Sequence, residues 1–204
     1  MDAVKIKICG LMRPEDIDAV NEYRPDLAGF ILARGRRRSL TDQQMRELVR
    51  ALRPEIQSAA VFLDQDPAWI AELAAQDLMD VIQLHGQESN EEIRFLRENT
   101  DKKIIKAFRI EKADDIRKAQ ESEADLVLLD SGAGGTGEVF DWSLIRQIHR
   151  PYILAGGLDP ENVRAALEQM HPYAVDVSSG VETAHCKDPE KIRRFIRAVR
   201  ETAR

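Results

Sequence analysis

Cysteine is scarce in this chain: Cys9 and Cys186 are the only two in 204 residues. That excludes a disulfide-stapled scaffold, and no CxxC spacing exists to seat zinc. The four histidines are scattered, so no pair at ligand spacing suggests a metal centre, and none is expected. Aromatic residues make up 5%, and none interleaves with the local basic run Arg34–Arg38. With a formal charge of −6, the chain has neither the general attraction nor the stacking platforms that nucleic-acid binding needs. No apolar run approaches the roughly 18 residues of a membrane span. The opening Met1–Lys7 lacks the continuous apolar core of a signal peptide, so a cytoplasmic protein is expected. No stretch rich in Pro, Gly or Ser divides the sequence, and residues 1–204 read as one domain.

What is present is a soluble globular composition, 43% hydrophobic and 32% charged. Short apolar runs recur at Lys5–Cys9, Leu27–Leu32, Ala59–Leu63, Val81–Leu84, Ile104–Ala107, Leu126–Asp130, Tyr152–Ala155 and Ala174–Val177. Their spacing of roughly 24 residues fits a compact strand–loop–helix–loop unit. Continuous rather than alternating apolarity suits parallel strands covered by helices on the outside. Helix starts are marked between them. Asp66-Pro67, Asp159-Pro160 and Asp188-Pro189 each offer an Asp cap followed by Pro at the first helical position. Ser89 and Glu92 form a capping box, Thr41 precedes Gln43–Leu52, and Asp141 precedes Trp142–Ile148. After Pro189, the stripe Ile192, Phe195, Ile196 and Val199 predicts an amphipathic closing helix. Lys112–Glu123 is the poorest segment, with only Ile116 and Ala119 as buried candidates, and reads as a weak helix or a loop.

Eight such units form either a closed barrel or an open doubly wound sheet. Cys9-Gly10-Leu11-Met12-Arg13 is not a GxGxxG fingerprint, and two small-residue turns come late in the chain, as in barrels. A single (β/α)8 TIM barrel is therefore predicted. The late turns, Gly156-Gly157 and Ser178-Ser179-Gly180, leave backbone amides suited to a phosphate dianion, although Gly and Ser also dominate plain turns.

In a parallel barrel, reactive residues project from the carboxyl ends of the strands. Cys9 ends the first run: it is either a small core residue or, if nearby cations lower its pKa, a thiolate base. Asp130 ends Leu126-Val127-Leu128-Leu129, as a general acid or as a cap for the loop Ser131–Gly137. That loop is either a plain connector or a cover for a ligand. His85 follows the fourth run and suits a hydrogen bond to substrate or a structural role. One fixed guanidinium from Arg34–Arg38 could fork a carboxylate or phosphate. A base and an acid facing a gripped sugar phosphate suggest isomerisation by proton transfer.

Several segments, in order, resemble the phosphoribosylanthranilate isomerase family. They are Lys7-Ile8-Cys9-Gly10, Gln83-Leu84-His85-Gly86, Leu128-Leu129-Asp130, Gly134-Gly135-Thr136-Gly137 with Phe140-Asp141-Trp142, Ala155-Gly156-Gly157-Leu158 with Pro160-Glu161-Asn162-Val163, and Asp176–Glu182. The resemblance implies an Amadori rearrangement of N-(5-phosphoribosyl)anthranilate to the carboxyphenylamino-deoxyribulose phosphate in tryptophan biosynthesis. It implies Asp130 as general acid and Cys9 as general base. Arg38 would bind the anthranilate, His85 and Asp176 would contact substrate, and Gly156, Gly157, Ser178, Ser179 and Gly180 would hold the phosphate. It implies no metal or organic cofactor, a small phosphorylated substrate as the only partner, and a monomer or homodimer. Where the family has Ser-Pro before its arginine, this chain has Arg36-Arg37-Arg38-Ser39; register on Gly29-Phe30 selects Arg38, with Arg37 the alternative. Glu138 stands where a basic residue is common. The family also tends to lack a regular fifth helix, in keeping with Lys112–Glu123.

Two other enzyme readings are a pentulose-phosphate epimerase, which would want histidines and carboxylates around a metal, and indole-glycerol-phosphate synthase, which would want a catalytic lysine such as Lys106. The third is a phosphate- or RNA-binding module using Arg34–Arg38.

Overall fold

The computed structural model describes residues 3–33, 35–130 and 142–202. Eight parallel strands close in sequence order: β1 (Lys5–Cys9), β2 (Leu27–Ile31), β3 (Gln57–Phe62), β4 (Val81–Leu84), β5 (Lys103–Arg109), β6 (Leu126–Asp130), β7 (Tyr152–Ala155) and β8 (Ala174–Val177). Closure is made by β1 against β8, where Lys7 pairs with Asp176 and Ile8 with Val177. Between the strands run α1 (Pro14–Tyr23), α2 (Asp42–Arg50), α3 (Pro67–Ala75), α4 (Asn90–Asn99), α5 (Ala113–Glu121), α6 (Trp142–Ile145) and α7 (Val163–Gln169). A 3-10 turn at Ser179–Val181 and a small hairpin of β9 (Glu182–Thr183) and β10 (Cys186–Lys187) precede α8 (Pro189–Thr202).

Strand alternation separates two apolar regions. One set fills the barrel interior: Leu27, Ala59, Val81, Ile105, Leu128 and Ile153 belong to this inner cluster. The other set packs outward against the helices, as with Ile6, Ile8, Phe30 and Phe62. The expected stripe of α8 is there, with Ile192, Phe195, Ile196 and Val199 all buried. Among the described residues, no helix is long and apolar enough to cross a membrane.

The caps at Thr41, Asp66 and Ser89 accept amide hydrogens from Gln44, Ala68 and Glu92, and Asp188 accepts from Glu190 and Lys191. Three readings need correction. The fifth helix is neither missing nor irregular: α5 has nine residues, as many as α2 or α3. Ile116 and Ala119 are its buried residues, as expected; Asp115 caps it by accepting the Glu111 and Lys112 amides, and Arg117 ties Asp114 to Glu121 along its surface. Asp159-Pro160 does not start α7. Asp159 accepts the amides of Glu161 and Asn162 in a turn, and the helix begins at Val163. The helix after Asp141 spans Trp142–Ile145 rather than reaching Ile148. Asp141 itself, Glu138 and the loop Ser131–Gly137 lie outside the described residues, as does Arg34.

Candidate active site

At the carboxyl ends of the strands, the barrel opens into a cavity of about 1070 Å³. Every site residue expected from the sequence lies on its wall: Cys9 from β1, Arg38 from the β2–α2 segment, His85 after β4, Asp130 at the tip of β6, Gly156 and Gly157 after β7, Asp176 in β8, and Ser178–Gly180 after it. Residues 121 positions apart thus share one chamber because a parallel strand aims its last side chain at the same mouth as its neighbours.

The late turns sit against each other. Gly156 and Gly157 take φ of 92° and 64°, a left-handed backbone that side chains disfavour. Gly180 has a different reason: a Cβ there would overlap the carbonyl of Leu158, so only glycine lets the β8 turn close onto the β7 turn. Ser178 ties this pair to the first strand, its hydroxyl donating to the Cys9 carbonyl at 3.0 Å.

Cys9 is buried. Burial is the dominant influence and pushes its thiol up from the ordinary value, while the ammonium groups of Lys7 and Lys187 oppose it. The conditional expectation of a depressed thiol is therefore not met: the cations are there, but burial outweighs them. Cys186, by contrast, is exposed on the hairpin. Lys7 is wholly buried beneath Cys9 on the same strand face, 3.1 Å from Asp176 Oδ2. Burial alone would neutralise it, but Asp176 and Cys9 outweigh that cost and hold its pKa above normal. Asp176 Oδ1 and Gln83 Oε1 are buried without a hydrogen-bond partner among the described residues.

His85 stands between β4 and β6. Gln83 Nε2 lies 3.0 Å from His85 Nδ1, and His85 Nε2 lies 3.9 Å from Asp130 Oδ2. Burial pulls the imidazole below its ordinary pKa, against the upward pull of Asp130 and Asp176, so it is neutral near pH 7. A Gln83 amide hydrogen donated to Nδ1 would place the ring hydrogen on Nε2, toward Asp130. Lys106, the lysine weighed above for a synthase, is occupied: its ammonium donates to the Gly86 carbonyl and pairs with buried Glu88 at 3.2 Å.

Arg37 and Arg38 differ in placement. Arg38 is the more enclosed, at 20% against 43% side-chain exposure, and its chain packs where a Gly10 Cβ would come within 2.5 Å. Arg37 turns outward to the His185 carbonyl. Both hold Glu182, which also pairs with Lys187 at 3.0 Å. Burial would raise the Glu182 carboxyl, but hydrogen bonds from Arg38 and Arg37 and the charge of Lys187 bring it down to about 2. Sequence reasoning gave no role to Lys7, Gln83, Glu182 or Lys187. For Lys7 and Gln83 a signal existed, since each shares strand parity with a predicted site residue; for the hairpin there was none. Among the described residues, no cluster of three His, Cys, Asp or Glu is arranged to hold a metal ion.

Comparisons with known proteins bear on family and fold. The family model described as N-(5'-phosphoribosyl)anthranilate (PRA) isomerase matches residues 6–198. The isomerase of that name from Acetivibrio thermocellus is 44% identical, over 96% of this chain and 95% of its own. A phosphoribosyl anthranilate isomerase solved in complex with reduced 1-(o-carboxyphenylamino)-1-deoxyribulose 5-phosphate superposes with a TM-score of 0.85 at 34% identity, covering 97% of this chain and 99% of that one. Monomers generated from the dimeric enzyme of Thermotoga maritima superpose with a TM-score of 0.86 at 34% identity, with the same coverage. By sequence over its whole barrel and by fold, this chain belongs to the phosphoribosylanthranilate isomerase family.

Proposed function

We propose that this protein converts N-(5'-phosphoribosyl)anthranilate to 1-(2-carboxyphenylamino)-1-deoxyribulose 5-phosphate, the isomerase step of tryptophan biosynthesis, in the cytoplasm. The observation that carries this reading is the single chamber in which a thiol from β1, a carboxylate from β6 and the paired turns after β7 and β8 meet. The amides of Gly156, Gly157, Ser178, Ser179 and Gly180 grip the phosphate, and Arg38 takes the anthranilate carboxylate. Asp130 protonates the furanose ring oxygen, the ring opens, and the lone pair of the anilino nitrogen forms a protonated Schiff base. Cys9, as thiolate, then removes the proton from C2. The C2–H electron pair flows to the iminium nitrogen, giving an enolamine that tautomerises to the ketone. The iminium is its own electron sink, so the chemistry asks for no metal or organic cofactor. His85, neutral and donating through Nε2, supports Asp130 and the sugar, and Asp176 accepts from the substrate through Oδ1. Burial raises the pKa of Cys9, which makes its thiolate the stronger base once formed. Monomer and homodimer both fit this site, and sedimentation of the purified chain separates them.

The deciding experiment follows the fluorescence of phosphoribosylanthranilate generated in situ. The purified protein should consume it with saturable kinetics and yield a product that indole-glycerol-phosphate synthase accepts. No consumption by folded protein would overturn the reading.

A further inference from the structure

Lys7 has no exposed surface, and the reaction above gives it no task. It stands in the barrel interior, where the neighbouring layer is built of Leu27, Ala59 and Ile105. A buried ion pair is rarely the most stabilising filling for such a site, since an apolar residue of similar volume often does as well. Asp176 accounts for one side of the ammonium, at 3.1 Å. Gly29 reveals what lies on the other. A Cβ at position 29 would stand 2.8 Å from Cys9 Sγ and 3.1 Å from Lys7 Nζ, so sulfur and ammonium flank the same vacant point. Glycine inside a strand weakens it and marks a close approach of other groups. Here the approaching groups are a cation and a thiol, brought to one face of β1 by their spacing of two residues.

We propose that Lys7 is the positioning residue for Cys9: fixed by Asp176, its ammonium faces the sulfur across the space Gly29 leaves and stabilises the thiolate. The proposal rests on the isomerase reading for the thiolate's task. The thiolate that acts is the fraction of Cys9 whose proton has passed to water. In turnover the S–H bond forms as the C2–H bond breaks, and the electron pair passes to the substrate iminium. Lys7 keeps its protons throughout. The charges around the sulfur are Lys7 from β1, Asp176 from β8 and Lys187 from β10, while His85 and Asp130 are the titratable groups on the β4 and β6 walls of the cavity. Lys7 is the largest influence opposing burial of the thiol, and Asp176 works against it.

The test is a thiolate titration by ultraviolet absorbance in a Cys186→Ser background, where Cys9 is the sole thiol. Lys7→Met should move the Cys9 midpoint up by about one pH unit or more, a tenfold loss of thiolate at neutral pH. Its kcat should fall by about the same factor and recover as pH rises, with KM within about twofold, because the sulfur does not hold the ground state. Gly29→Ala leaves every charge in place and adds a methyl 2.8 Å from the sulfur and 3.1 Å from the ammonium, so these groups must shift; it too should raise the midpoint, and it serves if Lys7→Met fails to fold. An unchanged Cys9 midpoint in either variant, folded by circular dichroism, overturns the proposal. If the midpoints move as stated but the parent chain consumes no phosphoribosylanthranilate, the Lys7–Cys9 coupling stands and the isomerase reading falls.

Discussion

At the scale of single residues, the chamber combines groups whose protonation is set by burial and by charged neighbours on the same and on other elements. Cys9→Ser and Asp130→Asn should each lower kcat by about 10²-fold or more while leaving the circular dichroism spectrum intact, as removal of a general base or acid does. Glu182 is the residue whose carboxyl is most clearly displaced, held at about 2 by Arg38, Arg37 and Lys187 against its own burial. Its folded value lies below the ordinary 4.5, so its contribution to stability is present above pH 4.5 and is lost as pH falls toward 2. Thermal melts across that window should show this acid-side loss in the parent and less of it in Glu182→Gln. The same variant frees Arg38 from its bidentate partner, and KM should rise about tenfold with a smaller change in kcat. Cys9 and Asp130 were legible because each ends an apolar run, which is a local pattern. The Lys7–Asp176 pair was not, because its partners are separated by 169 residues and meet only across the barrel seam.

Among the elements, strand ends were easier to read than helix ends. β1, β4, β6, β7 and β8 fall where their apolar runs do, since a buried parallel strand is apolar on both faces. α5 defeated the pattern because an outer helix needs only a narrow apolar stripe; Ile116 and Ala119 suffice when Asp115 caps it and Arg117 bridges its turns. The turns after β7 and β8 were visible as glycine and serine, but their contact was not. Gly180→Ala would force the Leu158 carbonyl away and part the two turns. Calorimetry should show weaker binding of inorganic phosphate, by about tenfold, with little loss of helical signal. In α8, Phe195 is fully buried, and Phe195→Ala should cost about 3–5 kcal/mol in urea unfolding.

For the molecule as a whole, the closed barrel was legible from the count and spacing of runs and the late turns; the register at the β1–β8 seam, Lys7 beside Asp176, is what the structure adds. The proposed phosphate grip exists only in the assembled mouth, so under that reading phosphate at about 100 times its Kd should stabilise the whole barrel by about 2.7 kcal/mol and raise the melting temperature. The seam has a kinetic counterpart. Ser178 reaches the Cys9 carbonyl, and Lys7 reaches Asp176, only after most of the chain has been synthesised. A nascent polypeptide therefore carries Cys9 and Lys7 together from the first few residues onward, but the carboxylate that fixes Lys7 arrives only when the last strand docks against the first.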